Sequence, residues 1–204
     1  MKFKEIKIAK SILSKEVGCS WPLFLIKCLI RKNDIFELTH WSKVKGAESK
    51  FVKRLPLVSA LYLELGNKFD KEKAFEIMRK IIVPIGLNES LTDLRSLKIS
   101  RKNPLELLIS YLDLVDEEGA GRFCKREYSK KNMDICHRVV TKCPFHRFFS
   151  EAETPELTKL FCEVDKQFYS KAFPELKFHR GSSWENTIAY GKDHCEFIFE
   201  KNSK

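Results

Sequence analysis

The chain has 204 residues, 43% hydrophobic, 12% aromatic and 32% charged, with eight glycines and seven prolines. That length can bury a core without covalent staples, and the composition excludes collagen-like, low-complexity and disordered classes. The net charge of +10 is uneven, since residues 1–54 hold thirteen Lys/Arg against five Asp/Glu.

In chain order, the apolar run from Trp21 to Ile30 comes first. It is too short to span a bilayer, is interrupted by Lys27 and lacks the layout of a signal peptide, so no transmembrane segment is expected. It reads as a core or interface helix with Ser20 as N-cap and Pro22 in the first turn, ending near Arg31. Its basic flanks leave a peripheral membrane role open. The lysines of this region come without zinc-finger spacing, a helix-turn-helix pattern or RNP-type aromatic strands, so no nucleic acid is expected as a partner.

A second helix carries Phe51, Leu55, Val58, Leu61, Tyr62 and Leu65 and stops at Gly66-Asn67. Asp70 then caps a helix through Ile77 and Ile81 that closes near Pro84 and Gly86, and Asn103-Pro104 opens another with Leu105, Leu108 and Leu112 on one face. After Gly121 the period changes from 3.6 to 2. Arg122–Tyr128 and Met133–Cys143 read as paired strands, with Met133, Ile135, His137, Val139, Thr141 and Cys143 sharing one parity. Thr154 and Pro155 start a helix with Leu157, Leu160, Phe161, Val164 and Phe168 as its stripe. Leu176–Tyr190, kinked near Gly181, and Cys195–Glu200 finish as strands joined by the turn 191–194. The fold class expected is α+β. An N-terminal helical layer packs on a C-terminal antiparallel sheet of about four strands, with the Thr154 helix covering one face. Residues 1–50 form a basic helical segment and 51–204 an α+β domain.

The seven cysteines are an odd set without close regular spacing in a chain that needs no disulfides, which favours reduced thiols and a cytoplasmic location. On the Thr154 helix, Cys162, Asp165 and Tyr169 fall at i, i+3 and i+7, on a flank beside the apolar stripe. A carboxylate there is partly desolvated, which raises its pKa and suits it to act as a base; a plain surface Asp is the competing reading. Cys143 and Cys195, at strand ends, could converge on Cys162. Such thiols serve as nucleophiles, as metal ligands together with His146, or as small apolar side chains. Arg180 could pair with Asp165 or hold a substrate carboxylate. Phosphate-cradling glycine loops, Gly-x-Ser-x-Gly elbows and His-Glu-x-x-His pairs are absent.

From Cys143 to Phe199 the chain resembles the L-2-amino-thiazoline-4-carboxylic acid hydrolase family. The likeness rests on Cys143-Pro144, Pro155-Glu156-Leu157, Cys162-Glu-Val-Asp165, Arg180, Thr187, Gly191 and Cys195-Glu-Phe197, and extends more weakly back to about residue 50. Glu153 stands where the family would place a glycine. The resemblance implies hydrolytic opening of a C–N or C–S bond in a carboxylate-bearing, cyclic amidine-like ring, with no cofactor and with a small-molecule carboxylate as substrate. The matching positions then suggest Cys162 or Cys195 as nucleophile and Asp165 as base or orienter of a water. Arg180 becomes the carboxylate clamp, with Cys143, Thr187 and Tyr169 as pocket wall. A non-catalytic ligand-binding or sensing domain of the same fold, or a Cys/His metal-binding protein, are the alternatives, and a homo-oligomer is compatible with each.

Overall fold

The computed structural model describes residues 3–43, 53–97 and 103–202. Its elements are α1 (Phe3–Val17), α2 (Trp21–Leu38), α3 (Leu55–Gly66), α4 (Lys71–Ser96), α5 (Pro104–Glu118), β1 (Lys125–Lys131), β2 (Ile135–Lys142), α6 (Pro144–Glu151), α7 (Thr158–Ala172), β3 (Leu176–His179) and β4 (Cys195–Lys201). The class is α+β, as expected. The chain forms two compact units, Met1–Gly86 with Phe148–Phe161, and Leu87–Arg147 with Cys162–Lys204.

In the first unit α2 packs on α3. Phe24, Cys28 and Ile35 are buried; the Cys28 thiol donates to the Ala60 carbonyl at 3.9 Å, and Arg31 pairs with Glu64 at 2.7 Å. Ser20 sits at the N-cap of α2 without capping it, because its hydroxyl donates back to the Val17 carbonyl; the helix runs on past Arg31 to Leu38. Of the second helix, Phe51 lies outside the described residues, while the stop at Gly66-Asn67 is where the sequence places it. Asp70 caps α4 as expected, its Oδ1 accepting the Lys73 N–H at 2.7 Å. Glu16 draws Lys73 (2.9 Å) and Lys80 (3.1 Å) onto α1, and those partners lower its pKa.

Helix α4 does not close near Pro84 and Gly86 but continues to Ser96. A proline inside a helix removes one backbone hydrogen bond and costs about 3 kcal/mol. The stripe of Leu87, Leu91 and Leu94, packed in the core of the second unit, offsets that cost and carries the helix on.

In the second unit Asn103 caps α5, accepting the Leu105 N–H at 3.0 Å. The sheet has the order β1-β2-β4-β3, every pairing antiparallel. Its covered face carries Cys136 and Phe199 against Leu105, Leu108, Tyr111 and Leu112 of α5, Phe168 and Tyr169 of α7, and Phe173 just beyond it. The Thr154 helix therefore covers the sheet, and α5 shares the task. The buried parity of β2 is Cys136, Arg138 and Val140, opposite to the set that begins at Met133. β1 starts only at Lys125, because Ala120–Phe123 form a 3-10 turn. The long strand Leu176–Tyr190 is not formed. β3 ends at His179, since Gly181 takes φ +70° and the chain from 180 to 194 follows an irregular path.

Helix α6 is not anticipated from periodicity, because eight residues are too few to show it. It ends in a left-handed turn in which the Thr154 N–H reaches the Phe149 carbonyl at 2.7 Å and Glu153 takes φ 57°. That geometry is a Schellman closure, and its left-handed position favours glycine, the residue whose absence at 153 the sequence flags. Thr154 then serves the first unit through its hydroxyl, 3.0 Å from Ser59 Oγ, rather than as a helix cap; Pro155–Leu157 is one 3-10 turn before α7. Left-handed backbone costs a residue with a Cβ about 1–2 kcal/mol, and glycine returns part of this as unfolded-state entropy, about 0.5–1 kcal/mol. Glu153→Gly is therefore expected to stabilise the chain by about 0.5–1 kcal/mol, read as a higher urea midpoint at unchanged slope.

Candidate active site

Strand register builds the site row by row on the covered face of the sheet. Cys136 pairs with Phe199, Arg138 with Phe197 and Val140 with Cys195. From β3, Phe178 stacks on Phe199 with ring centres 4.7 Å apart. Just beyond the strand end, Arg180 brings its guanidinium carbon to 4.0 Å from the centre of the Phe197 ring. Two arginines thus flank Phe197 on a face otherwise made of aromatic and thiol side chains. Over these rows runs α7, whose Tyr169 ring touches Phe178 and Phe199, each at 4.8 Å. Asp165 lies one helical turn before Tyr169, and Cys162 precedes Asp165 by three residues.

Arg180 is 1% exposed. Its Nη2 donates to Asp165 Oδ2 at 3.0 Å, Trp184 stands 5.0 Å from its guanidinium carbon, and its Nε–H is buried without a hydrogen-bond partner. Nη1 donates to the Glu196 carbonyl at 3.5 Å, and flat aromatic faces hold the arginine plane in place without using its donors, which leaves the Nε–H without an acceptor. Asp165 is dominated by burial, which pushes its carboxyl up to about 6; the charge and hydrogen bond of Arg180 oppose this, with a smaller contribution from Arg138. Its side chain still keeps 36% of its surface accessible. Asp165 is thus packed by protein on one side and open on the other.

Arg138 is the functional candidate that the sequence reading lacks. It is buried, its Nη2 donates to Asp116 Oδ1 at 2.5 Å, and its Nε–H also has no hydrogen-bond partner. Asp116 is shared with Arg126, which reaches its Oδ2 at 2.6 Å. Arg138 and Arg126 thus share Asp116, with Asp113 within electrostatic reach of the same strand, while Arg180 pairs with Asp165. The signal for it is an arginine flanked at i−2 and i+2 by Cys136 and Val140; both parities of this strand carry apolar residues, so the sequence does not say which of them is buried.

The thiols of Cys143, Cys162 and Cys195 lie within electrostatic reach of one another. Cys162 lies within electrostatic reach of Cys195, Asp165 and Arg180 and beside Thr187, and Cys143 is within reach of Cys124, Cys162 and Cys195. Burial pushes the Cys162 thiol up to about 12 against the pull of Arg180. Burial likewise raises Cys195, although its sulfur accepts the Ile188 N–H at 3.2 Å, and Cys143, beside the His146 N–H. Thr187 is fully buried and its hydroxyl makes no well-formed hydrogen bond. At neutral pH these sulfurs are neutral thiols, whereas Asp165 is mostly ionised. Among the described residues no group of three or more His, Cys, Asp or Glu side chains is arranged to hold a metal ion, so Cys143, His146, Cys162 and Cys195 do not form a cage.

The family model for L-2-amino-thiazoline-4-carboxylic acid hydrolase matches residues 50–199. The chain belongs to that family. The match spans every residue of the site and leaves out α1 and α2. No curated protein matches. Two solved structures of an Fe(II) unliganded H-NOX protein from K. algicida align with 100% of this chain and 98% of theirs at 11% identity. The point mutant gives a TM-score of 0.39 and the parent 0.35; superpositions this loose define neither fold nor chemistry. No described helix is long and apolar enough to cross a membrane.

Proposed function

We propose that the site between α7 and the sheet hydrolyses a small, carboxylate-bearing, cyclic amidine-like ring of the 2-amino-thiazoline-4-carboxylate type. The observation that carries this reading is Asp165, a carboxylate lifted to about 6 and accessible on one side, locked to Arg180, whose Nε–H has no hydrogen-bond partner. With the substrate carboxylate on Arg180, and Arg138 adding positive charge nearby, the ring lies beside the accessible side of Asp165. Asp165 uses Oδ1 to orient a water towards the ring carbon bonded to both nitrogen and sulfur and accepts its proton as the C–O bond forms. The C=N electron pair moves onto nitrogen in that attack. The tetrahedral carbon then expels the ring sulfur, and the added hydroxyl passes its proton to that nitrogen as it becomes the C=O. The sulfur takes the proton held by Asp165. One water is consumed, the C–S bond breaks, and an open-chain thiol bearing a urea group is released.

The raised thiol pKa values favour water over Cys162 or Cys195 as nucleophile. A thiolate attacks far better than a thiol, and burial keeps Cys162 protonated at neutral pH. Incubation with 2-amino-thiazoline-4-carboxylate, followed by mass spectrometry, tests the reading: the substrate should gain the mass of one water. Cys162→Ala should retain turnover within about tenfold, since it touches only the pocket wall; a loss of about a thousandfold would return the nucleophile's role to Cys162. Tight retention of the ring without product would support the non-catalytic binding domain instead.

A further inference from the structure

We propose that the first half of α2 is a docking surface for an anionic lipid bilayer. Leu23, Ile26, Leu29 and Ile30 are between 49% and 66% exposed. At 100° per residue they occupy the face opposite Phe24, Cys28 and Ile35, which are buried where α2 packs on α3. A helix that is apolar on both sides needs cover on both sides, and α3 supplies one.

Charge identifies the second cover. Exposed Lys27 borders the patch. Helix α1, joined to α2 by the short turn Gly18–Ser20, adds Lys7, Lys10 and Lys15, and the Lys10 ammonium sits 5.5 Å from the centre of the Trp21 ring at the start of α2. Lys68 reaches the same corner, donating to the Val17 carbonyl at 2.9 Å. Aliphatic side chains bordered by Lys27 and, at the start of the helix, by Lys10 match the headgroup boundary of a negatively charged bilayer.

A second copy of the chain fits less well. Four side chains half to two-thirds exposed offer roughly 400 Å², about half of what each partner buries in a stable dimer, and a two-fold contact would bring lysine against lysine. The face turns polar at Asn33 and acidic at Glu37, so contact is confined to the first turns and the helix meets the surface tilted, its N-terminal end inserted.

The full chain should co-sediment with phosphatidylserine-containing vesicles at least tenfold more strongly than with pure phosphatidylcholine, and less strongly as salt is raised. The double variant Leu23→Glu/Ile30→Glu, with unchanged circular dichroism, should lose that binding, and Lys27→Glu should weaken it. Equal binding by the variants, or no preference for the anionic vesicles, would overturn the proposal. So would a dimer in sedimentation velocity that the double variant dissociates, since the face would then belong to a second copy.

Discussion

Asp165→Asn is expected to lower kcat for ring opening by about 10²–10⁴, the range that a positioned general base contributes. The substitution is nearly isosteric, and the amide oxygen can still accept from Arg180 Nη2, so the circular dichroism spectrum and urea midpoint should stay close to those of the parent. The parent should show a matching pH dependence. Asp165 accepts a proton only when ionised, and burial lifts its pKa to about 6. kcat/KM should therefore rise through a midpoint near pH 6 and level off above it, while activity is lost as the carboxyl protonates below. A flat profile from pH 5 to 8, together with an active Asp165→Asn protein, would remove Asp165 from the chemistry.

The lower part of that site was legible because helix spacing is local. Cys162, Asp165 and Tyr169 at i, i+3 and i+7 share a flank whichever sheet lies beneath them, and Asn103, Asp70 and the Gly66-Asn67 stop act through their immediate neighbours. What stayed hidden depends on tertiary partners. Both parities of β2 contain apolar residues, and only pairing with β4 shows that Cys136, Arg138 and Val140 face the core. The proline at 84 is outweighed by leucines packing in the second unit, which a local rule cannot weigh. β3 stops after four residues because Gly181 swings the backbone beside Glu196, where a Cβ would approach Glu196 Oε2 to 2.9 Å. That swing lets residues 180–194 bring Trp184 beside the Arg180 guanidinium and Thr187 beside Cys162, which a continued strand would not do.

Arg180→Met should have two separable effects. Methionine keeps much of the stem's volume among Phe178, Trp184 and Phe197 but removes the charge, so the substrate carboxylate loses its partner and KM should rise by about 10². At the same time Asp165 loses the largest influence holding its pKa down, while the burial that pushes it up is retained. The ascending limb of kcat/KM should therefore move above pH 6, in the direction opposite to a general loosening that lets water reach the carboxylate. Arg180→Lys should not restore KM, because an ammonium neither stacks between aromatic rings nor offers two parallel donors. Arg138→Met is the internal comparison. Arg138 is the smallest of the named influences on Asp165 and keeps company with Asp116 rather than with Asp165 itself. Its limb should shift less, while KM still rises if its unused Nε–H faces the substrate. An unmoved limb in Arg180→Met would mean that the pH dependence belongs to another group, even if KM rose as expected.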